Sequence, residues 1–180
     1  MLLPYNSNKL YFFMTRGIPG CGKSTFVKEY MSKISKVVES DVIREAINGR
    51  CLENGREFIN QNNGAAVWVI VDKEIETALQ NNQSVTLDAT NINFWQLDKY
   101  KKIAEKYKAE YIVIDFSNVS LEEALMRNSL RLPEYKRVPD KVIERMYRDI
   151  IKENDKLITF KALHNKNEVL DWLSNTIQDI

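Results

Sequence analysis

The segment Gly17–Ser24 reads GIPGCGKS, and few eight-residue stretches restrict a fold as tightly. It is a complete G-x-x-x-x-G-K-S, in which glycines let the main chain curl until successive N–H groups face one anionic centre. The flanking residues supply the context such a loop needs. Lys9–Thr15 (KLYFFMT) is an apolar run that predicts a buried strand, and Ser24–Ser32 carries a helical pattern. A helix opening near Gly22 adds the positive end of its dipole to the cradle. Lys23 then reaches the β- and γ-phosphates of a nucleoside triphosphate, the Ser24 hydroxyl ligates Mg²⁺, and Thr25 is a further donor toward the α-phosphate. Gly17, Gly20, Cys21, Gly22, Lys23, Ser24 and Thr25 are therefore the candidate nucleotide-binding residues, with Cys21 read as a small side chain that fits the loop.

Further along, short apolar runs alternate with helical patterns. Lys36–Glu39, Ser84–Leu87 and Tyr111–Phe116 predict strands, and Leu157–Phe160 a weaker fifth. Helices are expected over Val42–Asn48, Gly64–Gln80, Phe94–Tyr107, Leu121–Arg131, Pro139–Glu153 and Asn167–Gln178. This alternation predicts an α/β fold, a P-loop NTPase/kinase three-layer α-β-α sandwich around a central, mainly parallel sheet of four or five strands. We read residues 1–180 as a single domain. Gly49–Asn63 and Leu132–Val138 lack a period and are read as substrate loops or lids, with Arg56 and Phe58 as candidates to shape an acceptor site. In the last helix, Val169, Leu173, Ile177 and Ile180 form an apolar stripe read as packing.

Composition removes several alternatives. The longest apolar run, Ala65–Val71, is stopped by Asp72, so no membrane span is expected. The N-terminal MLLPYNSNKL lacks the pattern of a secretory leader. Two cysteines and one histidine cannot build a disulfide framework or a His/Cys metal cluster, and the expected setting is cytoplasmic. A net charge of +1 gives no global attraction to nucleic acid, so any such binding has to be local.

The loop alone leaves the reaction open. A motor would carry a glutamate after the strand-terminal aspartate, but Asp88 is followed by Ala89. A GTPase switch needs D-x-x-G, and the chain contains none. A phosphotransferase needs a base for the acceptor hydroxyl and cations over the transferring phosphoryl. After the second strand, in ESDVIREAI, Asp41 stands at the ligand edge of the sheet with Arg44 one helical turn on. Asp41 is read as the base and Arg44 as the grip on an anionic group of the acceptor; the plainer alternative makes Ser40 or Asp41 a helix cap and Arg44 a surface charge. Asp88, grouped with Asp41 and Arg44 on the substrate side, is read as holding Mg²⁺ through water or positioning Arg44. Asn91 or Asn93 is expected to cap the following helix. Between Arg127 and Arg148 the net charge is +4, so residues 127–148 are read as a lid whose Arg127 and Arg131 share a helix face. Lys99, Lys101, Lys102, Lys106 and Lys108 are read as a solvated helix face.

GIPGCGKSTF, SDVIREAI, DATNIN and the segment LEEALMRNSLR…RVPDKVIERMY together resemble the kinase domain of the bacteriophage type of polynucleotide 5′-hydroxyl kinase, from about Leu10 to Ile150. The resemblance implies transfer of the γ-phosphate of ATP, with Mg²⁺, to the 5′-hydroxyl end of DNA or RNA. It implies Asp41 as general base, Arg44 as the clamp on the acceptor's 3′-phosphate, and Arg127 and Arg131 as lid arginines, Arg131 on the donor phosphates. The D-x-D-G-T signature of the phage enzyme's phosphatase is absent, so only kinase activity is implied. A small-molecule kinase on the same scaffold and a nucleotide-binding regulator without transfer chemistry are the alternatives.

Overall fold

The computed structural model describes residues 9–178. Five parallel strands form the central sheet: β1 (Tyr11–Arg16), β2 (Lys36–Glu39), β5 (Val85–Asp88), β6 (Glu110–Asp115) and β7 (Ala162–Leu163), in the order β2-β5-β1-β6-β7. A separate antiparallel hairpin is made by β3 (Arg50–Glu53) and β4 (Arg56–Ile59). The helices are α1 (Lys23–Glu29), α2 (Ser40–Asn48), α3 (Gly64–Gln80), α4 (Phe94–Lys106), α5 (Leu121–Ser129), α6 (Asp140–Glu153) and α7 (Lys166–Gln178). The three-layer parallel architecture expected from the alternating pattern is the one observed.

β1 is the axis of the molecule because all six of its side chains are buried. Successive strand residues point to opposite faces, so Tyr11 and Phe13 pack with α1, α6 and α7, while Phe12 and Met14 pack with α3 and α4. Trp172 of α7 meets Tyr11 and Phe13 edge-on, with centroids at 5.3 and 5.8 Å. Each such fully buried side chain contributes about 1.5–3 kcal/mol. Val169 and Leu173 bear out the packing role of the C-terminal stripe; the side chain of Ile177 and the whole of Ile180 lie outside the described residues, as does most of the N-terminal segment read for a leader.

One strand is displaced from its expected place. Leu157–Phe160 is not a strand: Asn154–Thr159 continues from α6 as a 3-10 turn. Leu157 anchors that turn in the core while Ile158 is 89% exposed, so this apolar run serves a single anchor rather than a strand face. The edge strand follows at Ala162–Leu163, which pairs with Val113 and Ile114. The Gly49–Asn63 segment, expected as irregular, contains the hairpin. Its turn residues Asn54 and Gly55 have φ of 50° and 76°, the left-handed pair that a two-residue hairpin turn requires.

Candidate active site

The loop after β1 sits where β1, between β5 and β6, ends at the carboxyl edge of the sheet. Its entry is tied to both neighbours' connections: Gly17 N–H donates to the Thr90 carbonyl at 2.9 Å, and Phe116 N–H donates to the carbonyl of Arg16, the last residue of β1, at 2.8 Å. At the loop's apex Gly20 (φ 84°) is pressed so closely on α5 that a Cβ there would lie 2.2 Å from the Ala124 carbonyl oxygen. Gly22 (φ 97°) gives the second left-handed bend that opens α1. Lys23, 6% exposed, lies within the loop, and its Nζ donates to the Ile18 carbonyl at 2.8 Å and to Cys21 Sγ at 3.4 Å. Cys21 is itself buried, as a small side chain filling the loop should be.

Behind the cradle lies an ion pair that the sequence did not reveal. Arg16 and Asp115, both essentially buried, pair at 2.9 Å. Arg16 also donates to Asn154 Oδ1 and the Ile150 carbonyl, while Ser117 Oγ donates to Asp115 and His164 Nδ1 lies 3.3 Å from it. The ends of β1 and β6 are thereby joined to the end of α6. No local motif signals this network, because its members are 99 and 138 residues apart.

Asp88 closes the β5 edge of the cradle. It is buried, with Oδ1 at 3.3 Å from Thr15 Oγ1. Burial pushes its carboxyl above the ordinary aspartate range; the Lys23 charge and a hydrogen bond from Ser24 pull it back, and the Asp41 charge raises it again. Asp88 therefore shares one electrostatic field with Lys23, Ser24 and Asp41. The neighbouring Glu39 carboxyl is also pushed up, first by desolvation and next by Asp88. A hydroxyl beside a carboxylate at the mouth of a phosphate loop is a donor set suited to Mg²⁺, a hard cation that prefers oxygen ligands.

α2 starts at Ser40, with Glu39 at its cap position and no side-chain cap. Asp41 is thus in the first helical turn rather than a cap, and its Oδ1 accepts from Arg44 Nη1 at 3.0 Å. The Asp41 side chain is 58% exposed and that of Arg44 only 14%, so Arg44 is not a surface charge. Its Nε is buried and lacks a hydrogen-bond partner among the described residues. Arg44 pairs with Asp41, not with Asp88. Asn93, with Gln96, makes the capping box of α4, whereas the Asn91 amide donates to the Thr15 carbonyl at 2.8 Å.

The lid segment shows two different arginines. Arg127, on α5, reaches the loop: its Nη1 is 3.5 Å from the Cys21 carbonyl, and its Nη2 is paired with Glu123. Arg131 instead donates to the Lys136 carbonyl at 3.0 Å, and Arg137 Nε donates to the Arg131 carbonyl at 3.0 Å. These bonds fold residues 131–137 on themselves. The loop's two ends are clamped by Asn128, which is buried; its amide donates to the Val138 carbonyl at 2.8 Å and accepts from Val138 N–H at 3.0 Å. Asn128 stands inside the RNSLR motif, and its clamp on Val138, ten residues on, carries no sign in the local sequence. On α4, Lys99, Lys102 and Lys106 pair with Asp72, Asp98 and Glu76, the behaviour of a solvated face.

Three kinds of likeness bear on this arrangement. A family model described as an AAA domain matches residues 12–150. The L-seryl-tRNA(Sec) kinase of Methanococcus maripaludis is 29% identical over 137 residues, covering 73% of this chain and 49% of that protein. Among solved structures, a chain of the Pnkp1/Rnl/Hen1 RNA repair complex superposes with a TM-score of 0.69 at 21% identity, over 85% of this chain and 48% of that one. A gluconokinase from Sinorhizobium meliloti 1021 superposes with a TM-score of 0.59 at 11% identity, over 94% of both chains. The chain thus spans about half the length of the curated relative and of the repair-complex chain, and at these identities the solved structures speak for the fold.

Proposed function

The chain belongs to the AAA domain family, and on that premise we propose that it is a kinase that transfers the γ-phosphate of ATP to the 5′-hydroxyl end of DNA or RNA. The observation that carries this reading is the Asp41–Arg44 pair at the same sheet edge as Lys23, Ser24 and Asp88. A carboxylate paired with an arginine beside the cradle suits an acceptor that carries both a hydroxyl and an anionic group.

In this reading the loop N–H groups and Lys23 hold the triphosphate, with Gly17, Gly20, Cys21, Gly22 and Thr25 shaping the cradle. Ser24 and Asp88 would hold Mg²⁺, which neutralises charge on the phosphates. Arg127 faces the donor from the lid side. Arg44 binds an anionic group of the acceptor through its guanidinium, and Asp41 accepts the hydroxyl proton as the acceptor oxygen bonds to the γ-phosphorus. The bond from that phosphorus to the β,γ-bridging oxygen breaks, and ADP leaves. Arg131 gives one guanidinium bond to the Lys136 carbonyl, which shapes the lid, and its remaining N–H groups act on the donor phosphates.

The relative named as an L-seryl-tRNA(Sec) kinase supports an RNA-borne hydroxyl over a free metabolite. It also favours one second reading, in which the hydroxyl belongs to an aminoacyl group carried on RNA. A panel of 5′-hydroxyl oligonucleotides, seryl-tRNA and free nucleosides, incubated with γ-labelled ATP and Mg²⁺, separates the two. With the oligonucleotide, Asp41→Asn is expected to lower transfer by about a hundredfold or more while ATP binding persists; undiminished transfer would remove Asp41 from the role of base.

A further inference from the structure

The β3–β4 hairpin contributes little to the core: Ile59 is its one buried side chain, and Leu52 is 70% exposed. Its contacts go elsewhere. On one side it is fastened to α2, the helix of Asp41 and Arg44: Arg50 pairs with Glu45 at 2.7 Å, Asn48 donates to the Asn60 carbonyl at 3.1 Å, and Asn60 N–H donates to the Gly49 carbonyl at 3.1 Å. On the other side it touches the lid. The Arg50 guanidinium stacks 3.6 Å from the centroid of Tyr135, and Arg56 Nη2 donates to the Glu134 carbonyl at 3.3 Å. Glu134–Lys136 is the turn at the tip of the lid.

We infer that Arg50 and Arg56 are positioning residues for the transfer reaction, latching the lid tip to α2. The inference rests on the phosphotransferase reading above for what the latch serves, but not for its existence. The lid loop is already a preformed body, closed at its base by Asn128 and internally by Arg131 and Arg137. What such a body lacks is a fixed orientation, and the hairpin supplies it. The Arg50 contact holds the Glu45 carboxyl on α2 below its ordinary range, with a smaller contribution from Lys136 of the lid tip.

Arginine suits both contacts. Its planar guanidinium stacks on a phenol ring and still pairs with Glu45 at its edge, a combination that an ammonium cannot make. The stack is accompanied by the Arg56 bond to the Glu134 carbonyl and by a Tyr135 hydrogen bond to Glu45, few enough contacts that the lid tip can open and reclose. Tight fastening would trap product, whereas this contact shifts the lid's position by a modest factor.

The test uses the full chain. Trypsin cleavage at Arg131, Lys136 and Arg137, followed without acceptor, reads the latch directly. Arg50→Ala and Tyr135→Ala are each expected to speed cleavage about threefold to tenfold and Arg50→Lys to behave like Arg50→Ala, while Tyr135→Phe, which keeps the ring but loses the hydroxyl's bond to Glu45, should restore part of the protection. The double substitution should be no faster than either single one. In transfer assays the same variants should lower kcat by a similar factor and leave KM for ATP unchanged. Lid cleavage unaffected by Arg50→Ala, or effects of the two substitutions that multiply, would overturn the latch. Should the unmodified protein phosphorylate no acceptor, the transferase reading fails alone, because the cleavage rates still decide whether the hairpin holds the lid.

Discussion

The donor and acceptor halves of this site are built by different means. The cradle from Gly17 to Ser24 is held by main-chain hydrogen bonds to the β5 and β6 connections and by a van der Waals wall, Ala124 against Gly20. The half proposed for the acceptor, from α2 through the hairpin to the lid tip, is joined mostly by side chains: Asp41 to the largely buried Arg44, and at the surface Glu45 to Arg50 and Arg50 over Tyr135. Main-chain bonds in a buried setting cannot be lost one at a time without leaving a polar group unsatisfied, at about 1–3 kcal/mol each. Exposed ion pairs are worth about 0–1 kcal/mol. One half is therefore rigid, and the other can be rearranged cheaply.

The sharpest way to break this contrast is at Lys23. Replacing it with alanine removes the one side-chain cation inside the loop, and transfer from γ-labelled ATP is expected to fall by about a hundredfold to a thousandfold. A smaller loss would place the triphosphate elsewhere. Next is Gly20→Ala, which puts a Cβ where the Ala124 carbonyl oxygen stands and forces a side chain into φ 84°. The expected loss is about 2–3 kcal/mol of folding stability in chemical denaturation, and no comparable loss should follow Arg50→Ala in the other half.

The smallest effect concerns Asp88 and pH. Its folded-state pKa is raised, chiefly by burial, so its charge costs stability. That cost is absent below the unfolded-state value of about 3.9 and grows as pH rises through the raised folded-state value. Asp88→Asn should therefore gain on the unmodified chain at pH 7 and lose that gain at pH 3, as read by urea denaturation. An equal gain at both values would mean that the charge is not its source.

The same contrast explains what the sequence discloses. The cradle is contiguous and its chemistry is local, so GIPGCGKS predicts both its place and its shape. The long apolar pattern of α3 predicts Gly64–Gln80 to the residue. The acceptor half is harder to read because its partners are distant in the chain: nothing near Arg50 points to Tyr135. The hairpin did carry a local sign, the Asn54-Gly55 pair, but RCLE and REFI lack the apolar alternation that accompanies most hairpins, since neither strand covers a core. The two-residue β7 is too short to carry any period. The charge of Arg131 is legible in the sequence, whereas its hydrogen bond to the Lys136 carbonyl depends on a turn that only the folded lid creates.

The order β2-β5-β1-β6-β7 places the nucleotide loop on the innermost strand and the Asp41–Arg44 helix after an outermost one. Insertions or replacements between α2 and α3 thus fall at the margin of the sheet, where chain can be added without disturbing the strands that must assemble first. A lineage built on this plan is free to change what it phosphorylates by remodelling one border, while the machinery that handles the nucleotide is inherited intact.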